Sequence, residues 1–298
     1  MRVANISMYD SIKQTLGRAS TEMFEANEVV STSKRINKLS DDPVGLVSVL
    51  DLKSSLANIE QLGRNINMGK TWLASGESSL QQISNILSDV KEITVQMSTA
   101  TTNSTQRANA VTFIDGYLRQ VKSLANTEVG GRYIFSGTET DTIPFDFNSD
   151  ESQVIYSGND IPFAVKTGRN TKIDIGSDGQ EIFGGDWADG NIFKTLVDLK
   201  SYLNNNDING IQSTLDKIDA NMNSVSNSIS EIGGKTVRLN VRENIIQELE
   251  ISYTERKSNL EGADMAEAIM NLKAKELAYN AALSSASKVM QISLVNYL

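Results

Sequence analysis

In KRINKLSDDPVG, residues 34–45, two carboxylates stand side by side at Asp41 and Asp42, and adjacent carboxylates are raw material for a divalent-cation site or for general acid/base chemistry. Neighbouring residues of an extended or turning chain point their side chains apart, however, and no further ligand cluster follows. Simple helix chemistry accounts for the stretch better: Asp42 as N-cap, Pro43 at the first helical position, and an apolar period after it. Gly233-Gly234-Lys235-Thr236 ends like a phosphate-binding loop, but residue 229, where that pattern needs glycine, is Ile, and the surroundings read as helix rather than strand. Asp174 to Gly185 shares Asp178-Gly179 with a calcium loop, yet its third position is Gly176 and its twelfth is Gly185, so a β-turn is expected there. The chain holds 0 His and 0 Cys, which removes disulfides, thiolate sites, imidazole catalysis and Ser-His-Asp triads. No catalytic residue, cofactor or metal site is expected.

The elements that carry these stretches are mostly long helices. Tyr9, Ile12, Leu16, Ala19, Met23, Ala26 and Val30 follow a strict 3,4 alternation, the seam of a coiled-coil-like helix that ends near residues 31–33. A second seam runs from Leu52 through Ile59, Ile66, Leu73, Leu80, Leu87 and Val90 to Met97, with Gly69, Gly76 and Thr94 in the same series. It predicts a helix of about fifty residues, which only packing along its length can stabilise. After a shorter helix with Ile114, Leu118 and Val121, residues 127–190 change in texture. They hold 10 of the 20 Gly, 2 of the 3 Pro, and short β-like runs between turn-formers. Helix then resumes at Phe193 and continues as a long seam from Ile211 to Leu249. The chain closes on Met265, Ile269, Leu272, Tyr279, Leu283, Ala286, Met290, Leu294 and Leu298 at helical spacing.

The fold class expected is therefore mainly α: a long antiparallel coiled-coil-like bundle built from both chain ends, with a small β-rich insertion in the middle. Three domains follow, two of them discontinuous: residues 1–42 with 261–298, residues 43–126 with 191–260, and the continuous residues 127–190. The insertion carries 12 Asp+Glu against 4 Lys+Arg, nearly all of the chain's net charge of -9, and reads as a solvated lobe. With no basic block, nucleic acid is not an expected partner. No stretch reaches the roughly 18 apolar residues of a membrane span, and MRVANISMYDSIK lacks the apolar core of a cleavable secretory signal. A single terminal seam against one partner helix is marginal once backbone ordering is counted. The two ends are thus expected to be mobile in the isolated chain and to order when stacked among copies.

KRINKLSDDPVG, GGRYIFSG (130–137) and the ending GADMAEAIMNLKAKELAYNAALSSASKVMQISLVNYL (262–298), in that order around a helix–insert–helix plan, resemble the flagellin superfamily. Within it the ending SLVNYL and the small insert sit nearer the hook–filament junction proteins than filament flagellin, which stays as the alternative reading. The resemblance implies a non-catalytic assembly protein, exported unfolded through the flagellar channel without a cleavable signal and residing outside the cell in the bacterial flagellum. It implies hook-associated protein 1, flagellin, copies of itself in a ring and a cytoplasmic export chaperone as partners. It assigns Tyr9, Ile12, Leu16, Met23 and Val30 with Met265, Ile269, Leu272, Tyr279, Leu283, Met290, Leu294 and Leu298 to assembly seams. Arg35, Ile36, Asn37, Asp41, Asp42 and Pro43 fall in the linker between inner and outer helical shells. Where such chains often carry glycine, this one has Ser33, so the resemblance alone does not ask for a left-handed residue there. A helical stalk displaying a glycan-binding or adhesive insert is the other class of function left open.

Overall fold

A computed structural model describes residues 2–99, 101–185, 187 and 190–295, with side chains considered only for the described residues within 7–288. In chain order it comprises α1 (Arg2–Thr32), α2 (Pro43–Met97), α3 (Ser104–Ala125), β1 (Glu128–Val129), β2 (Arg132–Tyr133), β3 (Phe145–Phe147), β4 (Val154–Tyr156), β5 (Ala164–Lys166), β6 (Lys172–Asp174), α4 (Gly179–Phe183), α5 (Ile192–Asn204), α6 (Ile208–Glu261) and α7 (Met265–Val295). The mainly α class with a small β insertion is what the structure has. The chain divides into two compact units, residues 1–59 with 248–298 and residues 60–247.

In the second unit the core follows a seven-residue period on both long helices. Ile66, Leu73, Leu80, Leu87 and Thr94 of α2 are buried, as are Ile211, Ile218, Val225, Ile232 and Leu239 of α6. The interleaved α6 positions hold polar Thr214 and Asn221 instead, and Asn221 Nδ2 donates to Thr195 Oγ1 of α5 at 3.1 Å. Gly69 lets the helices close up, since a Cβ there would stand 3.1 Å from Leu239 Cδ1. Lys70 with Glu243 at 2.6 Å and Lys91 with Asp219 at 2.5 Å add ion pairs between α2 and α6. Helix α3 begins with a capping box of Asn103 and Gln106 and packs on α5, and its Ile114, Leu118 and Val121 are buried.

The insertion consists, among the described residues, of three separate antiparallel hairpins, β1–β2, β3–β4 and β5–β6. Gly130 and Gly131 join β1 to β2, both at positive φ (62° and 77°), the two-residue geometry whose twist matches a hairpin. In GGRYIFSG these glycines make the turn while Ile134 and Phe135 enter the core. Phe135, Phe145, Phe183 and Phe193 form one aromatic cluster, with centroids 5.0 to 5.9 Å apart. The Tyr156 hydroxyl lies 3.2 Å from the Phe135 carbonyl, 3.1 Å from the Asn159 carbonyl and 3.4 Å from Asp178 Oδ1, tying three loops together. Burial, with Asp178 beside it, pushes the Tyr156 hydroxyl well above its ordinary pKa.

In the first unit α1 packs on α7. Chain direction and the contact of Lys275 Nζ with Glu22 Oε2 at 2.8 Å make the pair antiparallel.

Candidate functional site

None of the three stretches that could do chemistry assembles a reactive site. Among the described residues no group of three or more carboxylates is placed to hold a metal ion. Asp178 is the N-cap of α4, its Oδ1 accepting from Gln180 N–H at 2.7 Å, so a short helix starts where a β-turn was expected. The cap accounts for the change, and Gly179 packs against the Phe135 carbonyl, Phe145 and Tyr156 with no room for a Cβ. Gly233 and Gly234 lie inside continuous α6 helix with open space at both Cβ positions, and Lys235 pairs with Glu231 at 2.9 Å.

The KRINKLSDDPVG stretch is built as a junction. Asp42 Oδ1 accepts from Gly45 N–H at 2.8 Å and α2 begins at Pro43. Asp41 faces the other way and closes a turn, its Oδ2 accepting from Asn37 N–H at 3.0 Å and Lys38 N–H at 2.8 Å. Backbone hydrogen bonds from Lys38 and Asn37 hold the Asp41 carboxyl below the ordinary carboxylate pKa, and those of Gly45, with help from Arg35, do the same at Asp42. Asn37 Nδ2 donates to the Lys34 carbonyl at 2.9 Å, and Ile36 is buried beside Gly45. A Cβ on Gly45 would overlap the Asp42 carboxylate and Ile36 Cδ1.

This junction is also joined to the second connector, more than two hundred residues further along the chain, a pairing that sequence reading missed. Arg35 N–H donates to the Glu261 carbonyl at 2.7 Å, Ala263 N–H donates to the Ser33 carbonyl at 3.2 Å, and Lys34 forms an antiparallel bridge with Gly262. The Arg35 guanidinium donates to the Leu260 carbonyl at 3.1 Å and lies 3.4 Å from Asp42 Oδ2. Glu261 is 7% exposed and faces the ammonium groups of Lys34 and Lys53, each at 3.6 Å. Ser33 has φ 57°: the turn does take a left-handed residue, supplied by serine. Asp264 then caps α7 as Asp42 caps α2, accepting from Ala266 N–H at 2.9 Å. An acidic residue before an apolar period marks both helix starts in the sequence, whereas nothing local marks the pairing of the connectors.

The terminal seam residues are distributed unevenly. Ile12, Leu16, Met23 and Val30 of α1 are half-buried, as are Met265, Leu272 and Tyr279 of α7. Tyr9 is 57% exposed and Ile269 and Leu283 are 47% exposed. Met290, Leu294 and Leu298 lie outside the residues whose side chains are described. The fully buried hydrophobic positions described on these two helices are Ala26, Ala268 and Ala286, all of them small. Around its circumference α7 presents Met270 and Leu277 on the side away from its half-buried residues, 67% and 72% exposed. Large apolar residues therefore lie on two opposite sides of α7, with charged Lys273 and Glu276 between them.

Comparison with known proteins places this geometry in company. A model of the bacterial flagellin N-terminal helical region matches residues 3–140, and one of the bacterial flagellin C-terminal helical region matches residues 215–298. Flagellar hook-associated protein 3 of Escherichia coli (strain K12) is 31% identical over 61% of this chain and 57% of its own length. The protein of that name from Salmonella typhimurium is 23% identical over 99% of this chain and 98% of its own. The chain thus spans little more than half of the first relative and nearly all of the second. Among solved structures, Bacillus cereus FlgL matches with a TM-score of 0.57 at 25% identity, covering 68% of this chain and 97% of that one. The flagellar junction protein FlgL of Legionella pneumophila matches with a TM-score of 0.58 at 15% identity, covering 74% and 100%, a likeness of fold.

Proposed function

The chain belongs to the flagellin family, and we propose that it is a structural part of the bacterial flagellum that joins the hook-side assembly to the flagellin filament, with no catalytic step. The observation that carries this reading is the state of the terminal helices: α1 and α7 form a pair, yet the pair leaves Met8, Tyr9 and Phe24 on one helix and Met270 and Leu277 on the other facing outward. Monomeric proteins do not normally leave apolar helix faces of that extent open, so the pair is a half-finished core that neighbouring subunits complete. On this reading the two seams pack among copies arranged in a ring, with hook-associated protein 1 on one side and flagellin on the other. A cytoplasmic chaperone would cover the C-terminal segment before export, and the acidic insertion would face outward as a solvated lobe.

The domain plan of this reading is an inner terminal pair, a long-helix middle and an outer insertion. Deletion of residues 263–298 in a flagellated cell that depends on this protein should abolish filament attachment while the purified remainder keeps the folded middle. Normal filaments from that deletion would refute the assignment. Glycan or calcium titration of the full chain should give no saturable binding, and saturable binding would favour the adhesive stalk instead.

A further inference from the structure

We propose that the long-helix pair of the second unit carries a built-in bend at the height of Gly76 on α2 and Gly233-Gly234 on α6. The three glycines lie level with one another: a Cβ on Gly76 would stand 3.5 Å from Cδ1 of Ile232, the residue before Gly233. Space requires none of them. That 3.5 Å is ordinary contact, and a Cβ on Gly233 or Gly234 would meet nothing within 4 Å. Gly69 is different, since Leu239 Cδ1 would come within 3.1 Å of its Cβ. Nor does the backbone require glycine at 233 or 234, because both lie inside continuous helix and neither has positive φ. What the three share is low helix propensity, placed at a single height in both helices.

Two independent features of that height favour a bend. Serine hydroxyls donate back to carbonyls one turn earlier in both helices: Ser79 to Ser75 at 3.0 Å on α2, and Ser228 to Ser224 at 3.1 Å and Ser230 to Ser226 at 2.9 Å on α6. Such bonds compete with the helical ladder and bend it, as glycine and serine together do. The packing also thins. Helix α6 buries Ile211 with Thr214 and Ile218 with Asn221, two positions in each seven, but from Val225 to Ile246 it buries one in seven, at Ile232 and Leu239 between them. Ser228, Glu231, Lys235 and Arg238 line a cleft of about 270 Å³, so one side of α6 meets open space beside its glycines. A bend of about 20° there carries residue 247, about 20 Å further along α6, sideways by about 7 Å. The helix pair can thus present its far half at more than one angle without repacking the core before it. The bend belongs to the single chain; only its use, to fit one chain to two unlike assemblies, rests on the junction reading.

The natural absence of cysteine lets spin labels be placed one pair at a time. In the full chain, Gln247→Cys is paired in turn with Gln120→Cys on α3 and Glu139→Cys in the insertion, and pulsed dipolar spin resonance reads the spread of each distance. Ser226→Cys, on α6 before the glycines, replaces Gln247→Cys in the control pairs. From at least one reference site, the spread to residue 247 should exceed that to residue 226 by about 5 Å or more. Gly233→Ala with Gly234→Ala should remove at least half of that excess, and adding Gly76→Ala should remove the rest, with urea unfolding showing that the double variant is no less stable than the parent. Gly63→Ala, away from this height, should leave the excess intact. Equal spreads in the parent chain, an excess that the two α6 alanines leave unchanged, or one that Gly63→Ala removes equally well, overturns the proposal.

Discussion

Replacing Gly45 by alanine tests whether the helix start in KRINKLSDDPVG is the tightly fitted joint that the structure describes. An alanine in an ordinary helix interior gains about 0.8 to 1 kcal/mol over glycine. At Gly45 the added Cβ would meet the Asp42 carboxylate and Ile36 Cδ1 inside contact distance, and Asp42 is the cap whose oxygen receives the Gly45 N–H at 2.8 Å. Inserting a carbon into such a contact costs about 1 to 3 kcal/mol, so the gain in propensity is cancelled or reversed. Gly63 lies in the same helix with nothing within 4 Å of its would-be Cβ. There alanine should deliver its gain unopposed. Equilibrium denaturation and local hydrogen exchange should therefore show Gly63→Ala stabilising by up to about 1 kcal/mol, and Gly45→Ala lower than Gly63→Ala by about 1 to 3 kcal/mol. Exchange in Gly45→Ala should speed up at residues 36–46. Equal stabilisation at both positions would refute the fitted joint and leave Asp42-Pro43 as punctuation without geometric consequence.

Three further outcomes follow from the same structure. Arg107, 2% exposed, donates to the Met97 carbonyl at 2.9 Å, the Thr99 carbonyl at 2.8 Å and Asn206 Oδ1 at 2.6 Å, holding the end of α2 to the α5–α6 turn. Arg107→Ala should cost about 3 to 5 kcal/mol in urea unfolding, since it strands buried acceptors and leaves a cavity; a loss below about 1 kcal/mol would contradict the reading. Tyr156→Phe should lower stability by about 1 to 2 kcal/mol and loosen the loops at Phe135, Asn159 and Asp178, visible as faster exchange there; unchanged exchange would show that the hydroxyl ties nothing. The Asp41 and Asp42 carboxyls are held below their ordinary pKa in the folded chain, so their contribution is present above the unfolded value near 3.8 and is lost as pH falls below it. Melting temperature should accordingly drop between pH 5 and pH 3, and less steeply in Asp42→Asn, which retains the cap but cannot titrate; parallel drops would place the acid sensitivity elsewhere.

The long helices were legible because a seven-residue apolar period sustained over fifty residues arises in little besides a long helix packed along one face, and Asp42-Pro43 was legible because cap and proline act within one turn. The buried polar row of Thr214 and Asn221 was not, since half-buried Leu215 and Met222 beside it carry the same period and only the position of α5 decides which faces inward. Strands of two or three residues leave too short an alternation to define, and Asp178-Gly179 has a composition that suits a turn or a cap equally. The connector crossing was invisible for a different reason: Lys34, Arg35 and Glu261 are ordinary charged residues until the fold brings these distant stretches of chain together. The terminal seams were found as patterns, but how deeply each seam residue is buried depends on how α1 and α7 pack, which no local signal gives.

One measurement is decisive. Purified protein is added to isolated hooks carrying hook-associated protein 1, followed by flagellin, and filament growth is scored with and without the protein and with its residues 263–298 removed. The account predicts that filaments grow from hooks that received the full chain and that growth fails without it or with the truncated form. Growth that is equal in all three cases would contradict the central claim.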